Sequence, residues 1–493
     1  MKDESKFSKV LSILLSVVLV ISSFYLLYQV IRLNVLPSKF LFPLTIGVVV
    51  LDAIFILLLI YFSKNVVSKI VCIVLTLFIC VASWMGGYYI SKTQGALSNI
   101  TSVAKHAKNT VSVIVKESSS IKNKSQLNGV SVGSLRLNEQ GSKKVLKELS
   151  SEGIVLNQTE YDSMTALLEA FYNGEVDSII INESSRSQIL DMETYSNFDS
   201  NTRVVYQTSY KVKNNDSATS VSDITSKPFN VLISGSDTRG GFDENGRSDV
   251  IMIATVNPKT HTILLTSVPR DFYVTTACDA GDGCMQGALD KITHTGIHGT
   301  NTTKRTVEQL LGIEINYTFK VGFDTVTELV DVLGGVDVYV EPGYATTTSE
   351  FSVHEGVNHL NAQQALAFAR ERYSYTEGDR QRTKNQQQVL MGIVKEVTKP
   401  SVITNYAAIM DTMANTFSTT MSNAEITDLI KYQLNNNPTW KMEQYMVDGT
   451  GDTLMCAELG DAASVMVPDQ STVKMAKDKI NAVLAGKSSE DVK

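Results

Sequence analysis

Three long apolar stretches near the amino terminus are separated by short polar connections. They cover about Val10–Ile31, Phe40–Phe62 and Ile70–Ile90. Each is close to the roughly 20 residues that a helix needs to cross a bilayer, and the connections leave room only for helical hairpins. The pattern therefore predicts three transmembrane helices within residues 1–92.

Beyond Lys92 the pattern changes to short runs that alternate between strand and helix. In chain order we predict a strand, a strand, a helix, a strand, a helix and a strand, at Thr110–Val115, Val130–Leu135, Gln140–Glu152, Ile154–Leu156, Asp162–Tyr172 and Val176–Ile181. Such alternation is typical of a small α/β domain. Residues 93–226 contain no catalytic constellation, so we interpret them as an accessory domain that serves as a spacer or a partner-binding module.

Three short apolar runs, rich in β-branched residues, predict three buried strands in the next part of the chain. They lie at Asn230–Ser234, Val250–Val256 and Thr262–Val268. Residues 257–260 form a predicted hairpin turn between the last two. If Val256 pairs with His261 across this turn, Asp249 lies opposite Val268.

The same register would place Arg247 opposite Arg270, and Asp237 would end the neighbouring strand at the same edge. Two carboxylates and two guanidiniums would then converge. Neighbouring carboxylates repel each other unless a cation lies between them, and a hard metal ion such as Mg²⁺ leaves room for substrate phosphates. The arginines suit bidentate binding of phosphate oxygens. The alternative is a solvated rim in which Asp and Arg pair with each other.

Further arginines lie before and within a predicted helix that begins at Asp379. On this helix Arg382 and Gln386 extend the apolar stripe toward the amino-terminal end. A buried arginine requires an anion or a carboxylate partner. Arg370 and Arg372 stand two residues apart, so an extended backbone would point both guanidiniums to one face, where an anion would have to bridge them.

Composition limits the possible partners and the location. The chain has 493 residues and a formal net charge of −7, which argues against general nucleic-acid binding because that requires basic surfaces. Cys278 and Cys284 flank the sequence DAGDG, and they could form a disulfide outside the cell.

The motifs of the second half resemble those of the LytR–CpsA–Psr family. The similar segments occur in order between Phe229 and Lys399: GSDTRGG…GRSDVIMIATVNP…SVPRD, LDKITHTG, GI…YTFKVGFDTVTELVDVLGGVDVYV and AFARERY…GDRQRTKNQQ. The three apolar stretches and the accessory domain look most like the CpsA type, which is associated with capsular polysaccharide. The resemblance implies an α/β protein whose catalytic domain, residues 227–486, is an α/β/α sandwich with an apolar lipid pocket. Residues 487–493 would form a tail.

The resemblance also implies a reaction. Members of this family in Gram-positive bacteria transfer a glycopolymer from a polyprenyl pyrophosphate carrier to peptidoglycan, so we expect a membrane-anchored glycopolymer phosphotransferase. Asp237 and Asp249 would hold Mg²⁺ and act in catalysis together with Arg270. The pyrophosphate would contact Arg247, Arg270, Lys291, Arg370, Arg372, Arg382 and Gln386. The expected partners are the lipid-linked glycopolymer, peptidoglycan, the membrane and other capsule-assembly proteins, but no nucleic acid.

Three alternatives stay open on the residues alone. A regulator of capsule assembly would bind lipid-linked polysaccharide without transferring it. A pyrophosphatase would release phosphorylated polymer and attach nothing to the wall. A DNA-binding regulator would need a basic recognition helix, and we find none after Lys92.

Basic residues predict the orientation of the three helices in the membrane. Five lysines would lie inside and three basic residues outside: Lys2, Lys6, Lys9, Lys64 and Lys69 against Arg32, Lys39 and Lys92. This bias places the amino terminus in the cytoplasm. After three crossings, everything beyond Lys92 would lie outside the cell membrane.

We therefore expect protease added to intact, wall-stripped cells to remove the region after Lys92. Immunodetection of an amino-terminal tag would show a short protected fragment that contains the three helices. Full protection of residues 93–493 would contradict the predicted orientation and favour the regulator hypothesis.

Overall fold

The computed structural model describes residues 6–62, 65–103, 106–213, 216–236, 244–279, 283–399 and 401–492. The chain packs as two compact units. The first consists of Met1–Asn99, Val397–Ala414 and Ser422–Pro438, and the second of Ile100–Glu396, Asn415–Met421 and Thr439–Lys493.

Three long helices begin the chain: α1 (Lys6–Leu33), α2 (Ser38–Leu57) and α3 (Val66–Val103). A π-helical turn, Leu58–Phe62, continues α2. All three are long and apolar enough to cross a membrane, as predicted, although α3 continues past Ile90. Between α1 and α2, Ser23 Oγ donates a hydrogen bond of 2.9 Å to Asp52 Oδ1, a carboxylate oxygen within an apolar helix.

An α/β domain follows, and we call it the accessory domain. Its elements are β1 (His106–Lys116), β2 (Ser131–Leu135), α4 (Glu139–Ser151), β3 (Asn157–Tyr161), α5 (Met164–Asn173), β4 (Ser178–Asn182), α6 (Arg186–Asp191), α7 (Phe198–Asn201) and β5 (Thr202–Lys213). The sheet order is β3-β2-β4-β1-β5. Alternate residues of β4 point to opposite faces, so that Ile179 packs with α5 and Ile180 with α4. Helices therefore cover both faces of this sheet.

One predicted strand of this domain is displaced. The sequence pattern placed it at Ile154–Leu156, but β3 is Asn157–Tyr161, and most of its side chains are exposed. Leu156 instead packs into the core from the preceding loop. An edge strand has few neighbours to bury it, so its polar sequence gives no apolar signal.

The remaining elements, β6–β19 and α8–α14, begin at Phe229. The strands are β6 (Phe229–Ser236), β7 (Val250–Asn257), β8 (Thr262–Ser267), β9 (Tyr273–Thr275), β10 (Leu289–Lys291), β11 (Tyr317–Gly322), β12 (Val336–Val340), β13 (Thr346–Thr347), β14 (Ser352–Val353), β15 (Gly356–Leu360), β16 (Phe417–Thr419), β17 (Lys441–Met446), β18 (Gly449–Cys456) and β19 (Asp461–Pro468). The helices are α8 (Thr300–Leu311), α9 (Phe323–Leu333), α10 (Ala362–Arg370), α11 (Asp379–Val397), α12 (Val402–Thr416), α13 (Asn423–Asn436) and α14 (Gln470–Leu484). Most of α12 and all of α13 belong to the first unit.

A six-stranded mixed sheet, ordered β16-β11-β6-β7-β8-β17, organises the second half of the chain. Leu232, Ile253 and Leu264 point to one face, where they form a buried core with α8 and α14. Ile233 and Met252 point to the other face, toward residues of α9, α10 and α11. The expected α/β/α sandwich is thus confirmed.

The register of the central hairpin differs by two residues from the prediction. Asn257 pairs with Thr262, so Val256 lies opposite Ile263 and not His261. The side chain of Asn257 accepts a hydrogen bond from the backbone N of Lys259 at 3.0 Å, which supports a wider turn. His261 closes that turn with a φ of 52°, a conformation that the residue pattern does not reveal.

A disulfide and a turn near the carboxyl terminus complete the fold. Cys278 and Cys284 form a disulfide with Cα atoms 6.2 Å apart. At the carboxyl terminus, a 3₁₀ turn at Ser489–Asp491 follows α14. Residues 487–493, predicted to be a tail, therefore include a short ordered segment.

A buried glutamate fastens this terminal segment to the sheet. Glu443 on β17 is 4% exposed, and it accepts hydrogen bonds from Ser488 Oγ at 2.8 Å and from the backbone N of Ser489 at 2.9 Å. Lys441 Nζ lies 2.8 Å away. Burial alone would raise the pKa of the Glu443 carboxyl, but the ion pair with Lys441 and the serine hydrogen bonds lower it to about 2.

Because its pKa is lowered in the folded protein, the ionised Glu443 carboxylate stabilises the fold in a pH-dependent way. The contribution should be complete above the ordinary Glu pKa of about 4.5 and should disappear as the pH falls to about 2. Glu443→Gln should therefore lower the thermal midpoint at pH 7 and have less effect near pH 2.5. The measurement is thermal unfolding in detergent, followed by the fluorescence of Trp440 next to β17.

Glu490→Gln provides the control, because Glu490 pairs with the same Lys441 but its side chain is 69% exposed. We expect this change to have little effect at any pH, since exposed ion pairs stabilise weakly. An equal loss at pH 7 and pH 2.5 for Glu443→Gln would contradict the role assigned to its charge.

Candidate functional site

A buried ion pair lies where the central hairpin ends. Asp249 precedes β7 and Arg270 follows β8, and Arg270 Nη1 lies 2.7 Å from Asp249 Oδ1. Continuing the observed register beyond Met252–Ser267 brings these two residues opposite each other. The predicted register had placed Asp249 opposite Val268, so the two-residue shift is what forms the pair.

Carboxylates around Arg270 keep it charged despite its burial. Burial favours the neutral form, but Asp249, Asp271 and Asp379 more than offset this, so the pKa of Arg270 is raised above its ordinary value. Arg247 belongs to the same cluster, with its Nε 4.0 Å from Asp249 Oδ1. The side chains of Arg247 and Arg270 are 14% and 19% exposed.

The start of α11 brings a third buried arginine to this cluster. Arg382 is 13% exposed and forms an ion pair with Asp379 in the first turn of the helix. Its pKa is nevertheless lowered, first because of burial and then because Arg270 and Arg372 repel its charge. Arg270 and Arg372 therefore repel Arg382 despite its carboxylate partner, and an anion beside these arginines would offset that repulsion.

The buried arginines also present unpaired donors. The Nε atoms of Arg247, Arg270 and Arg382 are buried and have no hydrogen-bond partner among the described residues. An unsatisfied buried donor on a charged group is costly. Guanidinium N–H groups in a fixed planar array match the oxygens of a phosphate. The arrangement is therefore suited to binding a phosphate or pyrophosphate.

Other predicted site residues line an open cleft beside the cluster. Arg247, Arg270, Lys291 and Arg372 all contribute to its wall. Lys291 Nζ lies 3.5 Å from Asp271 Oδ1. The structure thus brings these four cations together on one cleft, and their contact with a pyrophosphate stays a prediction.

The AFARERY segment differs from the expected extended strand. Arg370 is the last residue of α10 and is exposed, and it is not among the described residues that line the cleft. Arg372 lies beyond the helix end, where Nη2 donates to the hydroxyl of Tyr373 at 2.6 Å. The two guanidiniums therefore do not share one face of an extended segment.

Gln386 faces a different environment from the arginines. It lines an apolar cavity of about 80 Å³ between the sheet and helices α9, α10 and α11. The other lining residues include Ile233, Met252, Leu390 and Ile393. This cavity is the candidate for the expected apolar lipid pocket, which stays a prediction.

The predicted metal ligands can be followed only in part. Asp237 lies outside the described residues. Asp249 is placed, and its side chain is 12% exposed. Among the residues that the structure describes, no group of three or more His, Cys, Asp or Glu side chains is arranged to hold a metal ion. Mg²⁺ commonly uses only one or two carboxylates together with substrate phosphates, so Asp249 with a bound phosphate would suffice.

Sequence reasoning did not assign two acidic residues that tune this site. Asp271 lies 3.8 Å from Arg270 Nε and also approaches Lys291. Asp379, the first residue of α11, pairs with Arg382. The adjacency of Asp271 to Arg270 in the sequence SVPRD was the available signal.

Known proteins are similar in sequence to much of this chain. Residues 194–482 match the LytR_cpsA_psr family. The polyisoprenyl-teichoic acid–peptidoglycan teichoic acid transferase TagU of Bacillus cereus is 33% identical over 207 residues, or 42% of this chain and 65% of that protein. TagU of Bacillus subtilis is 35% identical over 196 residues, or 40% of this chain and 60% of that protein.

Each of these matches spans less than two thirds of the relative's own length. The crystal structure of Bacillus subtilis TagU aligns with a TM-score of 0.41 and 28% identity, and covers 52% of this chain and 97% of that one. Since the family match itself extends over more than half of the sequence, the chain belongs to the LytR_cpsA_psr family.

Proposed function

We propose that this protein is a membrane-anchored glycopolymer phosphotransferase that attaches polyprenyl-pyrophosphate-linked or polyprenyl-phosphate-linked polysaccharide to peptidoglycan. The observation that carries the proposal is the buried arginine cluster, with its three unpaired Nε donors, next to an apolar cavity. A lipid pyrophosphate has the two matching parts, a multiply charged head and an apolar chain.

Helix α11 connects the two parts of the site. Arg382 lies in its first turn, and Gln386, one turn later, already lines the cavity. On the sheet side, Val250 lines the cavity and directly follows Asp249. A lipid pyrophosphate could therefore place its head at the arginines and its first isoprenoid carbons in the cavity.

The arginines would act mainly by stabilising charge. In the transfer, the acceptor hydroxyl oxygen forms a bond to the phosphorus that carries the glycopolymer. The bond from that phosphorus to the bridging oxygen breaks, and polyprenyl phosphate leaves with the electron pair. Arg247, Arg270 and Arg382 would bind the oxygens on which negative charge accumulates. Asp249 is our candidate to accept the hydroxyl proton.

Magnesium is part of the proposal. Asp249, together with Asp237, would hold the ion, which would neutralise phosphate charge in the bound substrate. Within the described part of the site, Asp249 is buried among guanidiniums, so an ion at this carboxylate would need the phosphate oxygens to offset that positive charge.

Two further assignments belong to the proposal. The three apolar helices would anchor the protein in the cell membrane of a Gram-positive bacterium, with residues 93–493 outside and close to peptidoglycan. The relatives are named for teichoic acid, whereas the three-helix amino end resembles the capsular type. We propose capsular polysaccharide as the first polymer to test.

We expect Arg382→Gln to weaken binding of inorganic pyrophosphate by roughly tenfold to a hundredfold, because a hydrogen bond to a charged group contributes about 1.5–3 kcal/mol. Without the anion, the same change should raise the thermal midpoint, because burial, followed by the repulsion from Arg270 and Arg372, outweighs the attraction of the Arg382 charge to Asp379. Calorimetric titration and thermal unfolding of the full protein in detergent measure both effects.

Arg380→Gln is the matched control on the same helix. Arg380 is 44% exposed and pairs with Asp448 at 2.7 Å, so its loss should change pyrophosphate affinity little. Equal losses in the two variants would indicate a general charge effect and would contradict a site at Arg382.

For the reaction, we expect the purified protein in lipid nanodiscs to join polysaccharide from a polyprenyl pyrophosphate donor to a peptidoglycan acceptor when Mg²⁺ is present. Asp249→Asn and Arg270→Gln should each reduce transfer by about a hundredfold or more, because both act on charge that develops in the transition state. Gel mobility of radiolabelled polymer measures the product.

The products also distinguish the alternatives. Binding of the donor without any product would indicate a regulator of capsule assembly. Release of phosphorylated polymer that never joins the acceptor would indicate a pyrophosphatase. Transfer of teichoic acid in preference to capsular polymer would correct the polymer class alone.

A further inference from the structure

The cleft beside the arginine cluster has two walls. One wall, which we call the arginine wall, contains Arg247, Arg270, Lys291 and Arg372, and the accessory domain forms the other. Together they enclose a cleft of about 590 Å³, a volume within the ordinary range for ligand sites. The accessory domain contributes Thr165, Glu169, Gln188 and residues 191–195. The catalytic domain contributes the four cations described above, together with Asp461 and Ser464.

Several contacts hold the accessory domain in this position within the second unit. Thr165 donates two hydrogen bonds to the carbonyl of Leu459, at 3.1 Å from its backbone N and 3.0 Å from Oγ1. Met192 packs against the apolar cluster that includes Leu459. On another part of the interface, Lys108 Nζ lies 3.4 Å from the buried Glu244. The cleft is therefore formed by two docked domains.

The two walls carry opposite charge. Glu169, Asp191 and Glu193 lie on the accessory side, across from the arginines. Asp191 forms an ion pair with Arg247 and so touches the phosphate-binding cluster directly. An acidic wall repels a second anion, but its carboxylates accept hydrogen bonds from hydroxyl groups. The wall therefore favours a neutral, hydroxyl-rich group beside the phosphate.

A buried amide in the accessory wall supplies an independent indication of a ligand. Gln188 on α6 is 1% exposed, and neither its Nε2 nor its Oε1 has a hydrogen-bond partner among the described residues. Gln188 lines the cleft. There its amide NH₂ can donate to, and its carbonyl oxygen can accept from, the hydroxyl or acetamido groups of a sugar. Tyr195, also in the wall, stacks on Tyr172 at 5.4 Å, which fixes an aromatic surface nearby.

We propose that the accessory domain is the saccharide-binding wall of the active-site cleft. It would contact the sugar joined to the phosphate that the arginines hold, with Gln188 as the main specificity-determining residue. This inference rests on the proposed function for the identity of the phosphate-linked ligand, and the binding of a neutral saccharide tests it separately.

The test compares three probes on the full protein in detergent: farnesyl pyrophosphate, farnesyl-pyrophosphoryl N-acetylglucosamine and the free disaccharide N,N′-diacetylchitobiose. Gln188→Leu keeps the side-chain size but removes both polar atoms. We expect it to weaken binding of the glycosylated lipid about tenfold more than binding of farnesyl pyrophosphate, because two hydrogen bonds to the sugar are lost. Binding of the free disaccharide should also fall.

Two further variants keep the test decisive. Glu169→Ala removes the carboxylate of an exposed residue of the same wall and should weaken binding of the glycosylated lipid more than that of farnesyl pyrophosphate, even if Gln188→Leu does not fold. Gln140→Leu lies on α4, which packs against the opposite face of the accessory sheet, and should change none of the three affinities. Saturation-transfer NMR detects the disaccharide, and calorimetry measures the two lipids.

The outcomes separate the two proposals. If Gln188→Leu and Glu169→Ala affected the glycosylated and the sugar-free lipid equally, or affected neither, the saccharide wall would be overturned, whereas the proposal of lipid pyrophosphate binding would stand. If the wild-type protein bound neither lipid, the proposed function would fail. In that case, loss of disaccharide binding in the two variants would still support the saccharide wall, and unchanged disaccharide binding would overturn it.

Discussion

The buried contact between Asp249 and Arg270 sets the geometry of the whole candidate site. A charge can remain in the interior only when it is paired and hydrogen-bonded, and these two residues meet at 2.7 Å because the hairpin register places them opposite each other. The hairpin in turn lies in the centre of the six-stranded sheet. A two-residue slip would leave side chains on their proper faces, since the strand period is two, but it would separate the pair.

The carboxylates of the site do not remove the repulsion among the neighbouring guanidiniums, and this repulsion links the fold to function. Arg382 stays on the inner side of α11 although burial and two like charges act against it. The apolar residues that follow it on α11 hold the helix against the sheet. The packing of these apolar residues therefore holds Arg382 close to Arg270 and Arg372 despite the repulsion between their charges. An anionic ligand can relieve this repulsion. Such local strain is typical of preorganised binding sites.

The sequence predicts the parts of this site that depend on local periodicity. The three central strands and the inward face of α11, with Arg382 and Gln386, follow from alternation and helical spacing. The hairpin register does not, because it depends on the Asn257 side chain and on the positive φ of His261. The end of α10 at Arg370 is a similar case, since a helix terminus is set by tertiary packing as much as by composition.

The role of the accessory domain is even harder to predict from local sequence patterns. Gln188 and Asp191 lie on a six-residue helix that has no motif of its own, and they gain chemical meaning only from the docking that places them across from Arg247 and Arg270. A phosphate site alone would accept any pyrophosphate, because its contacts are to oxygens that all such ligands share. Specificity requires protein groups that discriminate against the wrong chemical group on the phosphate. Such protein groups would lose their hydrogen bonds to that ligand or would repel it. The uncommitted amide of Gln188 and the acidic side chains beside it meet that requirement, since a sugar satisfies them and a second anionic group does not.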